Sequence, residues 1–203
     1  MIKMLLVVVI GYFLGSISSG VLLSKAIMKK DIRTQGSGNA GTTNMLRIHG
    51  KGMALVTFLC DILKGVIAVY IGKRLVGGEV GGVLGVLGAV LGHNYPLFFG
   101  FKGGKGIATS FGSLLFVYPI QALIAFSAFL ILVFITHYVS VGSIVAAFTL
   151  PALVILTTPF DPIIWGIMAF LGTMVIYRHK SNIVRLMQHK ENKLDFSVFK
   201  KKK

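Results

Sequence analysis

Residues 107–160 run for 54 positions without one Asp, Glu, Lys or Arg. A water-soluble domain carries charge on about a quarter of its positions to keep its surface wet. At about 20 residues per crossing, this stretch alone is too long for two membrane spans joined by a turn. Further apolar runs lie at 4–23, 53–71, 80–101 and 162–177, the second interrupted by Asp61 and Lys64. The chain therefore reads as an all-α, polytopic transmembrane helix bundle. Composition agrees, with 55% hydrophobic and only 13% charged residues over 203 positions.

The first run does not read as a cleaved leader. It has no short apolar core ending in a small-residue cleavage site and continues into Lys25, Lys29 and Lys30. Those lysines and Arg33 put the first loop in the cytoplasm and the N-terminus outside. Spans two and three form a hairpin, which returns Lys102 and Lys105 to the cytoplasmic side. The basic tail from Arg178 onward belongs there too. An even number of crossings must then separate Ile107 from Tyr177. Two would leave roughly thirty apolar residues unused at about 20 per span, so four short or tilted spans are expected. Turns are expected at Tyr118-Pro119, at His137-Tyr138 and across 158–162. The result is seven spans, N-out and C-in, with 17 basic residues inside, Lys3, Lys73 and Arg74 outside, and Lys64 within a span.

Three polar clusters fall on the cytoplasmic side of that topology. The first, residues 36–47, is Gly-Ser-Gly-Asn-Ala-Gly-Thr-Thr-Asn-Met-Leu-Arg. Glycine lets backbone fold close to a ligand and aim several N–H groups at one anion, and Arg47 can pair with phosphate oxygens. A flexible linker is the plainer alternative. The second cluster joins Gly92-His93-Asn94-Tyr95-Pro96 to residues 100–109, Gly-Phe-Lys-Gly-Gly-Lys-Gly-Ile-Ala-Thr. It is not a nucleotide-binding P-loop, because Gly106 follows Lys105 where Ser or Thr would hold magnesium. It still offers N–H groups at Gly103 and Gly104, charge at Lys102 and Lys105, and the start of a helix. A loop that merely holds topology would need the lysines but not four glycines between 100 and 106.

The third cluster covers residues 177–193. If the last span continues as helix, His179 and Asn182 share a face and Arg185 follows one turn on. The plainer alternative is a basic interfacial helix lying on anionic lipid. Elsewhere, Asp61 and Lys64 sit one helical turn apart and should neutralise each other within the bundle, with a proton relay as the alternative. His93 with Asn94 would line the site or pin a turn. His49 and His189 read as surface residues, His137 as a turn residue and Cys60 as packing. Five scattered His and one Cys give no metal-ligand spacing.

With 21 Lys plus Arg against 6 Asp plus Glu, the clusters lack carboxylates to neutralise them. A cation–anion contact near a protein surface is worth up to about 4 kcal/mol at about 4 Å before desolvation. Such clusters suit a multiply phosphorylated ligand set, and the bilayer offers room for an acyl chain. So hydrophobic a chain leaves little room for nucleic acid.

These motifs, in this order, resemble the three conserved loops of the bacterial acyl-phosphate:glycerol-3-phosphate acyltransferases, the membrane-integral PlsY family. The resemblance spans nearly the whole chain and implies one acyltransferase domain over 1–203, without cofactor or metal, in the bacterial inner membrane. It implies transfer of an acyl group from acyl phosphate to glycerol 3-phosphate, giving lysophosphatidic acid and phosphate for phospholipid synthesis. Ser37, Lys105, His179 and Asn182 are then expected as catalytic residues. Arg47, Asn39, Thr43, Asn44, Lys102, Gly103, Gly104 and Arg185 are expected to bind substrate. Membrane lipid and an enzyme supplying the acyl phosphate are the expected partners. One departure is His189, where the family usually has Gly shortly before the position of Glu191.

An acyl phosphate is a mixed anhydride with a good leaving group, so the protein needs mainly to position the hydroxyl and stabilise charge. His179 is the expected base, with a substrate phosphate oxygen as the alternative. No His-x-x-x-x-Asp motif is present, which argues against the acyltransferases that use thioester donors through a His–Asp pair. The rival readings are an anion transporter, for which no internal repeat or midplane site is evident, and a lipid-binding scaffold.

Overall fold

The structure is a computed structural model that describes residues 1–195. The lysines at 200–203, read as a dispensable lipid-facing tail, lie outside the described residues. The described chain is all helical and divides into two compact units, Met1–Val117 and Tyr118–Lys203.

The first unit contains α1 (Ile2–Gly15), α2 (Ser19–Met28), α3 (Thr42–Leu75), α4 (Gly78–Asn94) and α5 (Ile107–Val117). Its centre is α4, whose small residues let two neighbours approach to backbone contact. A Cβ on Gly88 or Gly92 would overlap carbonyls of Val8 or Tyr12 on α1, and one on Gly85 would overlap Ala68 O on α3. This is how membrane helices associate when lipid is as apolar as leucine: dispersion contacts need close backbones. The 34-residue α3 is two helices joined at Gly50, which lies at φ 79° and ψ −174°. Positive φ at that junction is available to glycine at little cost, and it turns residues 42–49 away from the apolar stretch that follows.

The second unit contains α6 (Pro119–Thr136), α7 (Val139–Thr157), α8 (Pro162–Arg178) and α9 (Lys180–Met187). α6 packs on α7 and α7 on α8. The expected turns fall where the sequence put them. Pro119 and Pro162 each open a helix, where a missing N–H costs nothing. The Asp161 carboxylate caps α8 by accepting from the N–H groups of Ile163 and Ile164 at 2.9 and 3.0 Å. His137 takes φ +63° between α6 and α7.

Among the described residues, five helical segments are long and apolar enough to cross a membrane: Ile2–Met28, Thr42–Leu75, Gly78–Phe99, Pro119–Thr136 and Val139–Thr157. Ile107–Val117 and Pro162–Arg178 are apolar but shorter. The outward surface is what lipid requires, with Phe134 74% and Leu156 79% exposed while Thr57, Asp61 and Ser113 are buried. Cys60 differs from expectation, since it is exposed on this outer face rather than packed inside. α8 ends at Arg178 and α9 begins at Lys180, so the third cluster lies at a joint between two helices rather than on one continuous helix.

Candidate active site

The first cluster forms the loop that enters α3, and Asn44 holds its shape. Its side-chain amide donates to the carbonyls of Ile32, Gln35 and Asn39 at 3.2, 3.0 and 2.9 Å, and its Oδ1 accepts from Ser37 N at 3.0 Å. Asn44 is buried, and these four hydrogen bonds shape the loop. Asn39 works similarly, accepting from Gly41 N at 2.9 Å. Gly36 and Gly38 lie at φ +56° and +71°, and a Cβ on Gly36 would overlap Asn44 Oδ1. The side chain of Ser37 is left exposed. Thr43 and Arg47 stand one turn apart on the short helix before Gly50, on one face.

The second cluster is folded back onto the end of α4. Gly104 N donates to His93 O at 3.1 Å, and Gly103 N to Asn94 O at 3.3 Å. Both N–H groups were expected to face an anion; the structure commits them to anchoring the loop. Ser110 N donates to Gly106 O at 2.7 Å, the first i→i−4 bond of α5. The N–H groups of residues 107–109 therefore lead the helix without intrahelical acceptors, beside Lys105. Near this turn several buried polar atoms have no hydrogen-bond partner among the described residues: both ends of the Asn94 amide, Thr109 Oγ1 and Ser110 Oγ. Thr42 Oγ1 in the first cluster is another.

Arg33 ties these two loops together. Its Nη1 donates to Phe99 O at 2.6 Å and to Lys102 O at 3.2 Å, while Nε and Nη2 grip both oxygens of Asp31 at 3.0 and 2.8 Å. That fork holds the Asp31 carboxyl far below the usual carboxylate range against an opposing effect of burial, and the carboxylate in turn raises the Arg33 guanidinium. The sequence showed Arg33 only as one more cytoplasmic cation. Nothing local marks its two carbonyl partners, which lie more than sixty positions away.

In the second unit, His179 sits at the joint of α8 and α9, and both it and Asn182 are buried. His179 Nδ1 lies 2.8 Å from Val175 O. A carbonyl only accepts, so Nδ1 carries the hydrogen, and in the neutral form of the ring the lone pair is on Nε2. Asn182 Nδ2 donates to Glu191 Oε1 at 2.7 Å, Ser140 Oγ donates to the same oxygen at 3.0 Å, and Arg185 Nε donates to Oε2 at 2.7 Å. Glu191 was not among the expected site residues, yet it orients two that were. Burial alone would raise its pKa, but the donors Asn182, Arg185 and Ser140 outweigh that and lower it. With the folded value depressed, this stabilisation is present above the ordinary glutamate value of about 4.3 and is lost as pH falls through the folded value. Glu191→Gln replaces an acceptor by a donor facing Asn182 or Arg185. We expect it to cost about 1–2 kcal/mol and to lower the melting midpoint by about 3–6 °C, checked by thermal unfolding in detergent.

Each unit thus presents a polar cluster at helix ends, with hydroxyls, amides and cations held by buried hydrogen bonds. Comparison with known proteins gives the arrangement a context. The glycerol-3-phosphate acyltransferase family profile matches residues 5–189. The chain is 45% identical over 195 residues to the glycerol-3-phosphate acyltransferase of Clostridioides difficile (strain 630), covering 94% of this chain and 95% of that one. It is 44% identical over 186 residues to the Finegoldia magna protein of the same description, covering 92% and 93%. In fold it is similar to crystal structures of PlsY (YgiH), an integral membrane glycerol 3-phosphate acyltransferase. The glycerol 3-phosphate form matches with TM-score 0.89 and 35% identity over 97% of this chain and 98% of that one. The lysophosphatidic acid form matches with TM-score 0.85. Matched along nearly its whole length in both sequence and fold, the chain belongs to the membrane-integral glycerol-3-phosphate acyltransferase family.

Proposed function

We propose that the acyl donor is an acyl phosphate and that this chain, acting as one functional domain, transfers the acyl group to glycerol 3-phosphate. The products are lysophosphatidic acid and inorganic phosphate. The observation that carries the donor assignment is the start of α5. There Lys105 precedes a helix turn whose leading N–H groups lack intrahelical acceptors, beside buried Asn94, Thr109 and Ser110 atoms without partners among the described residues. A helix N-terminus with an adjacent ammonium suits a phosphate.

The roles follow from chemistry. Lys105 and the leading turn of α5 hold the donor phosphate, within a loop that Gly103 and Gly104 anchor and to which Lys102 adds charge. Arg47, Ser37 and Thr43 take the acceptor phosphate, on a loop shaped by Asn39 and Asn44. His179 Nε2 accepts the proton of the attacking hydroxyl while Asn182, held by Glu191, orients the acceptor and Arg185 contributes positive charge. The alkoxide oxygen bonds to the acyl carbon, the C–O bond to phosphate breaks, and the proton passes from His179 to the departing phosphate. Lys105 is best suited to neutralise charge that grows on the donor side as that bond lengthens.

The membrane arrangement we favour is seven spans, N-out and C-in, with all three clusters cytoplasmic and membrane lipid as surroundings. An 11-residue α5 rises only about 16 Å, about half the hydrocarbon thickness of about 30 Å. For α5 to complete a crossing, the loop before it must lie below the membrane surface, a dry place for an acyl phosphate. Purified protein in detergent tests the donor. Palmitoyl phosphate with glycerol 3-phosphate should yield lysophosphatidate and phosphate one for one, and palmitoyl thioesters should yield neither. Product from a thioester alone would overturn the donor assignment. Uptake of glycerol 3-phosphate into proteoliposomes without phosphate release would favour a transporter.

A further inference from the structure

Three ionisable side chains are buried between helices of the first unit, none of them assigned a part in the reaction. Asp61 and Lys64 on α3 and His93 on α4 are 1%, 6% and 7% exposed. Lys64 Nζ lies 2.8 Å from Asp61 Oδ1, 2.9 Å from Ile17 O and 3.0 Å from His93 Nδ1. An ammonium has three hydrogens and no lone pair, and here it meets three acceptors. Ile17 lies in the joint between α1 and α2. Ser19 Oγ supplies a further hydrogen bond to Asp61 Oδ1 at 3.2 Å.

This geometry assigns the histidine tautomer. His93 Nδ1 is also 3.5 Å from Asp61 Oδ1, but a hydrogen on Nδ1 would then point at an ammonium only 3.0 Å away. Nδ1 must accept from Lys64, which leaves the ring hydrogen on Nε2. That edge faces the second loop: a Cβ on Gly104 would overlap His93 Nε2. The carbonyls of His93 and Asn94 hold the same loop by its Gly104 and Gly103 N–H groups. Buried charge inside a membrane bundle is costly and a well-packed apolar set would suffice for stability alone. A neutral histidine with a specified N–H beneath a glycine loop is a different outcome, which apolar packing cannot supply.

We propose that His93 is a positioning residue for acyl transfer, its Nε2–H set by the Asp61–Lys64 pair and used to fix the 103–105 loop and hence Lys105 toward the donor phosphate. The inference rests on the reading that this loop handles the donor. In glutamine the amide nitrogen can occupy the place of histidine Nε2, whereas in asparagine it falls near the place of Nδ1. The test is steady-state kinetics on purified full-length protein with palmitoyl phosphate and glycerol 3-phosphate, together with the melting midpoint. His93→Asn should raise KM for palmitoyl phosphate by tenfold or more while KM for glycerol 3-phosphate stays within twofold. His93→Gln should return the donor KM to within threefold of the parent at a midpoint equal to that of His93→Asn. If His93→Asn does not accumulate, the pair Asp61→Leu with Lys64→Met, which roughly keeps volume and leaves neither position a donor to Nδ1, should show the same donor-specific rise. Equal impairment of the Asn and Gln variants, or a rise shared by both substrates, would reduce His93 to a packing residue. Lys105→Ala separates the two levels. If it raises the donor KM while the His93 and Asp61/Lys64 variants do not, only the positioning proposal fails; if it leaves the donor KM unchanged, the donor reading of the loop fails.

Discussion

Lys105→Ala and Arg47→Ala should each lower kcat/KM by about 100-fold or more, the scale seen when a charge-stabilising donor is removed from an active site. Each cation opposes a phosphate in the proposed reaction, and a neutral methyl leaves that charge to a site with little water to screen it. The controls are Lys73→Ala and Arg74→Ala at the far end of α3. There Lys73 lies over the Phe116 ring at 5.3 Å and Arg74 over the Tyr70 ring at 5.1 Å. Both should stay within about twofold, as expected of exposed charge contacts. Phosphate release from palmitoyl phosphate in the presence of glycerol 3-phosphate measures all four. Equal loss in all four would make the cations determinants of folding or topology.

The second large effect is expected at His179. Removal of a general base costs about 10²–10⁴-fold, and His179→Ala should lower kcat into that range with little change in either KM. The structural basis is the 2.8 Å contact of Nδ1 with Val175 O, which keeps the lone pair of the neutral ring on Nε2. Burst and steady-state measurements with palmitoyl phosphate would read the split. A kcat within tenfold of the parent would move the role of base to a substrate phosphate oxygen.

Where the physics is local, the sequence was readable. Charge-free runs became helices because backbone hydrogen bonds must be satisfied inside lipid, and Pro119, His137 and Pro162 marked the turns. The buried Asp61–Lys64 pair was legible from its spacing, and it forms at 2.8 Å. What could not be read was contact at a distance. Only the folded loop shows the Asn44 amide bonded to Ile32, Gln35 and Asn39. The Gly103 and Gly104 N–H groups looked available until α4 supplied carbonyls for them. Arg33 read as one more cytoplasmic cation and Glu191 only as a position of the family pattern, yet one joins two loops and the other orients Asn182 and Arg185. The helix over 42–49 was hidden because its polar face carries no apolar period. Likewise, α8 stops at Arg178 where charge and spacing would have allowed it to continue.

The central claim is that all three polar clusters work from one face of the membrane, and accessibility labelling tests it most directly. With Cys60→Ser as background, single cysteines are placed by Ser37→Cys in the first cluster, Lys180→Cys beside the third and Glu79→Cys at the start of α4, all exposed positions. A membrane-impermeant maleimide applied to intact cells should label only Glu79→Cys, and in inverted vesicles it should label Ser37→Cys and Lys180→Cys. Labelling of Ser37→Cys and Lys180→Cys from opposite sides would contradict the account.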